Sequence, residues 1–166
     1  MCNSVKDRMI FAGRRSCTVR MLVLFCVLVL SACGKTPEKT LPDMDALVQC
    51  LKSECSYSEE LKELPQEDLG YYMTVEPGVV ARMYVSGGSS AEQFAVFCAP
   101  DEACASRQME HVRAYLSDQG QAFADYLPEE TRRIEDALLI QMEQYVVLCV
   151  SEDSEEAENQ IRGLYK

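Results

Sequence analysis

Apolar residues recur along this chain with two spacings, and each spacing marks a kind of element. Met44, Leu47, Val48 and Leu51 fall at i, i+3, i+4 and i+7, one face of a helix. Asp43, just after Pro42, is the expected cap. Residues 58–72 are mixed and predict one or two helical turns; Glu76-Pro77-Gly78 predicts a turn. Residues 79–86 are β-branched and aromatic and stop at Gly87-Gly88, so they read as a strand. Residues 94–99, closed by Pro100-Asp101, read as a second. Helical spacing returns with Ala105, Met109, Val112, Leu116, Phe123 and Leu127, the buried stripe of a long helix over 101–126. Pro128-Glu129-Glu130 restarts a short helix. Residues 138–143 and 145–150 predict two strands, and Ser151-Glu152-Asp153 opens a last helix. That helix has acids at its start and Arg162 and Lys166 at its end, as the macrodipole favours.

The last two strands can be registered. With Glu143-Gln144 as the turn, Met142 faces Tyr145, Ile140 faces Val147 and Leu138 faces Cys149. One face then carries those six residues, and the other carries Leu139, Val146, Leu148 and Val150. A strand apolar on both faces belongs inside a sheet that is covered on both sides. Glu-Gln is poor chemistry for a two-residue turn, which favours Asn-Gly, so a bulge or a longer loop is expected. The elements predict an α+β fold: a four-stranded, mainly antiparallel sheet packed with a long helix and shorter N- and C-terminal helices.

A different pattern precedes this domain. Met21 to Leu30 is an unbroken apolar run of ten residues. As a helix it would reach about 15 Å, too short for a bilayer core of about 30 Å. A basic segment, a short apolar core and a small-residue exit make a secretory signal. The exit, Leu30-Ser31-Ala32-Cys33, resembles the lipobox of bacterial lipoproteins. That resemblance implies cleavage between Ala32 and Cys33 and a diacylglyceryl group on the Cys33 thiol. The competing reading is an ordinary signal peptide with an incidental Cys33, or a buried core helix. Arg14-Arg15 invites a twin-arginine reading that its neighbours fit poorly. Gly34 to Thr40 is polar and aperiodic, the composition of a tether. The expected organisation is a lipoprotein signal peptide at 1–32, a tether at 33–41 and a single α+β domain at 42–166.

Charge sharpens this division. The chain of 166 residues carries −11 in total, but residues 1–32 carry +4, which leaves −15 on the remainder. So acidic a domain repels nucleic-acid phosphates and anionic headgroups. No nucleic-acid partner is expected, and attachment to the membrane rests on lipid at Cys33.

Candidate chemistry is sparse. The single histidine, His111, shares a helix face with Arg107, Asp118 and Asp125, away from the apolar stripe. A general base with an acid partner is one reading, a solvated helix face the other. There is no G-x-S-x-G motif. Downstream of Cys33 lie Cys50, Cys55, Cys98, Cys104 and Cys149, without a C-x-x-C. Cys98 and Cys149 read as small buried hydrophobes; Cys98–Cys104 and Cys50–Cys55 are spaced for local bridges outside the cytoplasm. Glu152, Asp153, Glu155, Glu156 and Glu158 lack the Gly-containing ligand loop of a calcium site and read as a dipole-matched helix start. Tyr71, Tyr72 and Tyr84 either line a ligand groove or pack half-buried. No catalytic, metal or cofactor-binding residue is assigned.

Two stretches, "VSGGSSAEQFAVFCAPDEACA" and "FADYLPEETRRIEDALLIQMEQYVVLCVSEDSEEAENQI", carry a wider resemblance. Over roughly 43–165 the chain resembles the lipoprotein family carrying domain of unknown function 4358, lipobox proteins found mainly in Clostridia-type bacteria. The resemblance brings no activity, cofactor or site residue. Cys98 and Pro100 stand where that family usually has lysines, and the hairpin lacks its usual Gly-Asn. The expected function is a membrane-anchored extracytoplasmic binding or accessory module, with a cell-wall component or membrane protein as partner. The alternatives are a cell-wall-associated or extracellular hydrolytic enzyme and a ligand sensor feeding a membrane partner.

Overall fold

Residues 42–87 and 90–165 are described by a computed structural model. The predicted signal segment and tether, with Ala32 and Cys33, lie outside the described residues.

The first helix, α1 (Met44–Glu54), starts where Asp43 accepts a hydrogen bond from the Ala46 N–H at 2.7 Å. That side chain satisfies one of the donors that a helix start leaves open. The short strand β1 (Lys62–Leu64) follows, then a single 3-10 turn (Gln66–Asp68) and the one-turn helix α2 (Leu69–Tyr72). Strands β2 (Val80–Val85) and β3 (Gln93–Cys98) pair antiparallel. Helix α3 (Glu102–Phe123) starts on Asp101, whose carboxylate accepts from the Cys104 N–H at 2.7 Å. After α4 (Pro128–Glu135), β4 (Leu138–Met142) and β5 (Tyr145–Val150) form the hairpin, and α5 (Ser154–Leu164) ends the domain.

The sheet has five strands rather than the expected four, in the order β1-β2-β3-β5-β4, with every neighbouring pair antiparallel. The additional strand is β1, which pairs Leu64 with Met83 on the edge of β2. Its three residues are too few to show an alternating pattern, and exposed Lys62 and Glu63 give it the polar character of a protected edge. The long helix expected over 101–126 is present and ends three residues early, and the short helix restarts at Pro128 as expected. Helix α3 stops at Phe123, and the chain turns through 124–127 before Pro128 starts α4.

The hairpin register is the one read from the apolar pattern: Leu138 opposite Cys149, Ile140 opposite Val147 and Met142 opposite Tyr145. The expected bulge is absent. Glu143 instead takes a left-handed conformation at φ +51°, so the tight turn survives without glycine. Strand β5 lies between β3 and β4 with all six residues buried. Its two faces serve two separate cores. Val146, Leu148 and Val150 pack with Ala95, Phe97 and the α3 residues Ala105 and Val112. Val147 and Cys149 pack with Phe94, Val96, and Leu47, Val48 and Leu51 of α1, plus Ala157 and Ile161 of α5. Fully burying each large apolar side chain contributes about 1.5–3 kcal/mol.

Candidate functional site

Where α1 ends, the chain crosses the second of these cores and leaves an open cleft of about 560 Å³, lined by Lys52, Cys55, Tyr57, Glu59, Glu60 and Phe94 among others. Three restraints shape it. Cys55 is the first residue past the helix and has extended backbone. The Tyr57 hydroxyl, 3.2 Å from the Leu51 carbonyl, donates to one of the carbonyls that the last turn of α1 leaves open. Ser58 then donates from its N–H (2.9 and 3.0 Å) and its hydroxyl (2.5 Å) to the buried carboxylate of Glu92, just ahead of β3. A carboxylate inside a protein needs such donors. Glu92 was not anticipated, because an acid between two strands reads as loop.

Aromatic rings underlie the cleft region. Tyr84 stacks on Phe94 with centroids 4.6 Å apart, and Tyr57 leans on Phe94 at 5.9 Å. The Lys52 ammonium lies 4.1 Å from the centroid of the Tyr84 ring, a cation–π contact. The Tyr84 hydroxyl bonds Arg82, which also pairs with Glu63 and Asp45 at 2.8 Å each. Burial, followed by the Glu63 carboxylate, pushes the Tyr84 phenol up to about 12. Arg82, followed by Tyr84, holds the Glu63 carboxyl below its usual range.

Two thiols from opposite ends of the domain meet here, Cys55 in the cleft wall and Cys149 behind it. Sγ of Cys55 lies 3.9 Å from Sγ of Cys149. The Cys149 sulfur is also 3.5 Å from the Tyr57 hydroxyl and 3.5 Å from the Ser151 hydroxyl. All five cysteines of the described residues are free thiols, so neither of the local bridges that the spacing allowed, Cys98–Cys104 and Cys50–Cys55, is formed. The close pair spans 94 positions and leaves no trace in local spacing.

The other sequence candidates are distributed differently. His111 meets neither Asp118 nor Asp125 in any hydrogen bond. Its Nε2 is 3.0 Å from Oε1 of Glu76, whose Oε2 accepts from Arg107 Nε at 2.8 Å. Arg107 first, and His111 second, hold the Glu76 carboxyl below its usual range. Gln108, fully buried one turn away, accepts from the Glu76 N–H at 2.8 Å and donates to the Thr74 carbonyl at 3.2 Å. Together these contacts clamp the 74–76 loop onto α3. Tyr71 and Tyr72 are exposed, whereas Tyr84 is buried in the α1-side core, so the three neither share a groove nor pack half-buried together. Among the described residues no group of three or more His, Cys, Asp or Glu is arranged to hold a metal. Glu152 pairs with Arg133 at 3.3 Å and Glu158 with Arg162 at 2.6 Å. No described helix is long and apolar enough to cross a membrane.

The geometry defines a class: a small α+β domain whose antiparallel sheet is covered on both faces, with an open aromatic cleft beside the end of its first helix. Residues 56–151, more than half of the chain, match the family model for a domain of unknown function (DUF4358), and the protein belongs to that family. No curated protein and no solved structure matches the chain.

Proposed function

We propose that this protein is a lipid-anchored, extracytoplasmic binding or accessory module, of the kind found among the lipoproteins of Clostridia-type bacteria. The observation that carries this reading is the exit Leu30-Ser31-Ala32-Cys33 behind an apolar run of ten residues. That run is too short to span a bilayer. Two acyl chains on one modified cysteine supply the two anchoring signals that stable attachment requires. A polar tether then holds the domain away from the headgroups, and the charge of −15 on residues 33–166 keeps it off an anionic surface. The cleft, lined by Tyr57, Leu61 and Phe94 together with Lys52, Glu59 and Glu60, suits a ligand with both apolar and polar parts. The test is Cys33→Ala, expressed in a lipoprotein-processing host. The variant should lose incorporation of labelled fatty acid and leave the detergent phase or remain uncleaved. Labelling and partitioning like the parent's would refute the anchor.

A further inference from the structure

We propose that Cys55 and Cys149 form a reactive dithiol that closes to an intramolecular disulfide by exchange with a small disulfide entering through the cleft. The proposal goes beyond membrane anchoring and does not depend on it, because the chemistry lies within the domain.

Four observations carry it. The two sulfurs are already in contact at 3.9 Å, and a disulfide needs them at about 2.05 Å. Cys55 can supply that movement, since it sits just past the end of α1, outside the helical hydrogen-bond ladder. Cys149 cannot, since it is held in β5 between two strands. Access is equally asymmetric: Cys55 lines the cleft, whereas Cys149 is wholly buried behind it. The partners of Cys149 also favour its thiolate. The Cys55 S–H acts most strongly and lowers the Cys149 thiol to about 7 against the opposing effect of burial, with the Ser151 hydroxyl assisting. The Cys55 thiol is raised in turn, because its proton is held against the Cys149 sulfur.

This arrangement assigns each thiol a part. As Cys55 Sγ attacks one sulfur of an incoming disulfide RSSR, its proton passes to the Cys149 thiolate. The RS–SR bond breaks, and RS⁻ leaves and takes a proton from water. Cys149 then attacks Cys55 Sγ in the mixed disulfide, and its proton passes to the second RS⁻ as that group is expelled. The balance is RSSR plus two protein thiols giving one protein disulfide and two RSH. The protein pair loses two electrons and the small disulfide gains them. Cys55 is the entering nucleophile and Cys149 the resolving thiol. The bridge would tie the end of α1 to the central strand across 94 residues, and so close the cleft wall against the sheet.

The experiment uses the full chain in detergent, incubated with oxidised glutathione, blocked by alkylation and mapped by peptide mass spectrometry. The parent should yield a Cys55–Cys149 linked peptide and lose these two thiols, with little persistent glutathione adduct. Cys149→Ser should trap glutathione on Cys55 as a stable adduct. Cys55→Ser should leave Cys149 unmodified, because it is buried. Dithiothreitol should reverse the parent's bridge and lower its thermal midpoint to that of the unoxidised protein. A parent that keeps both thiols free, stays glutathionylated at Cys55, or bridges through Cys50 instead would overturn the proposal. Mapping the parent alone decides this even if a serine variant fails to fold.

Discussion

The two faces of the sheet are built from the same strands but close in different ways. On one face α3 lies over Ala95, Phe97, Val146 and Leu148, and the contact is almost wholly apolar. Its polar groups are stitches: Tyr115 donates to Gln93 at 2.6 Å, and Gln108 pins the 74–76 loop. On the other face α1 and α5, from opposite ends of the domain, meet over Phe94, Val96, Val147 and Cys149. That lid is discontinuous, and past α1 an open cleft is lined by half-buried Tyr57 and by the largely buried Phe94 and Cys55. One long helix seals a sheet face with few polar openings. Two shorter helices joined through the sheet leave an edge where chemistry can reach the core.

If both faces are equally dry at the centre, an aspartate should be intolerable on either. Leu148→Asp on the α3 face and Val147→Asp on the other each place an unpaired charge at a fully buried position. Each should cost more than about 4 kcal/mol and abolish cooperative urea unfolding. A folded Val147→Asp variant beside an unfolded Leu148→Asp variant would show that water from the cleft penetrates deeper than its walls suggest.

The polar stitches offer a finer comparison. Gln108→Ala removes the partners of the Glu76 N–H and the Thr74 carbonyl and leaves a void, so it should cost about 2–3 kcal/mol. Tyr57→Phe removes the hydroxyl that bonds the Leu51 carbonyl and meets the Cys149 sulfur, and should cost about 1 kcal/mol. Urea midpoints measured in parallel check the order. Equal losses would mean that the α3 face is no better sealed than the other.

The smallest effect concerns the rim carboxylates, Glu63 on the α1 side and Glu76 on the α3 side. Both have pKa values lowered by arginine partners. A lowered folded pKa adds stability that is complete above the unfolded value, about 4.3. That contribution is lost as pH falls through the lower folded value. Stability should therefore decline below about pH 4, and Glu63→Gln and Glu76→Gln should each flatten the decline. At neutral pH the Glu63 change should stay near about 0.5 kcal/mol, because its ion pair is solvent-screened. Urea titrations from pH 7 to pH 3 read both. An undiminished acid slope in the double variant would place the responsible groups elsewhere.

What the amino-acid order determined by itself was local. The period of Leu47, Val48 and Leu51 set the buried face of α1, Asp43 set its start, and the doubly apolar run at 145–150 set an interior strand and its hairpin register. Each rests on residues within a few positions of one another, where helical or strand geometry alone decides which side chains share a face. Gln108 was hidden because a polar side chain in a helical stripe reads as solvent-facing until its partners are known. Strand β1 was hidden because three residues carry no period and become a strand only by pairing with β2. The tertiary structure alone brought Glu76 to His111, Ser58 to Glu92, and Cys55 to Cys149. Those groups are 34 to 94 positions apart. Their meeting depends on the order of strands in the sheet and on which helix covers which face, and neither is encoded in the spacing of any one segment.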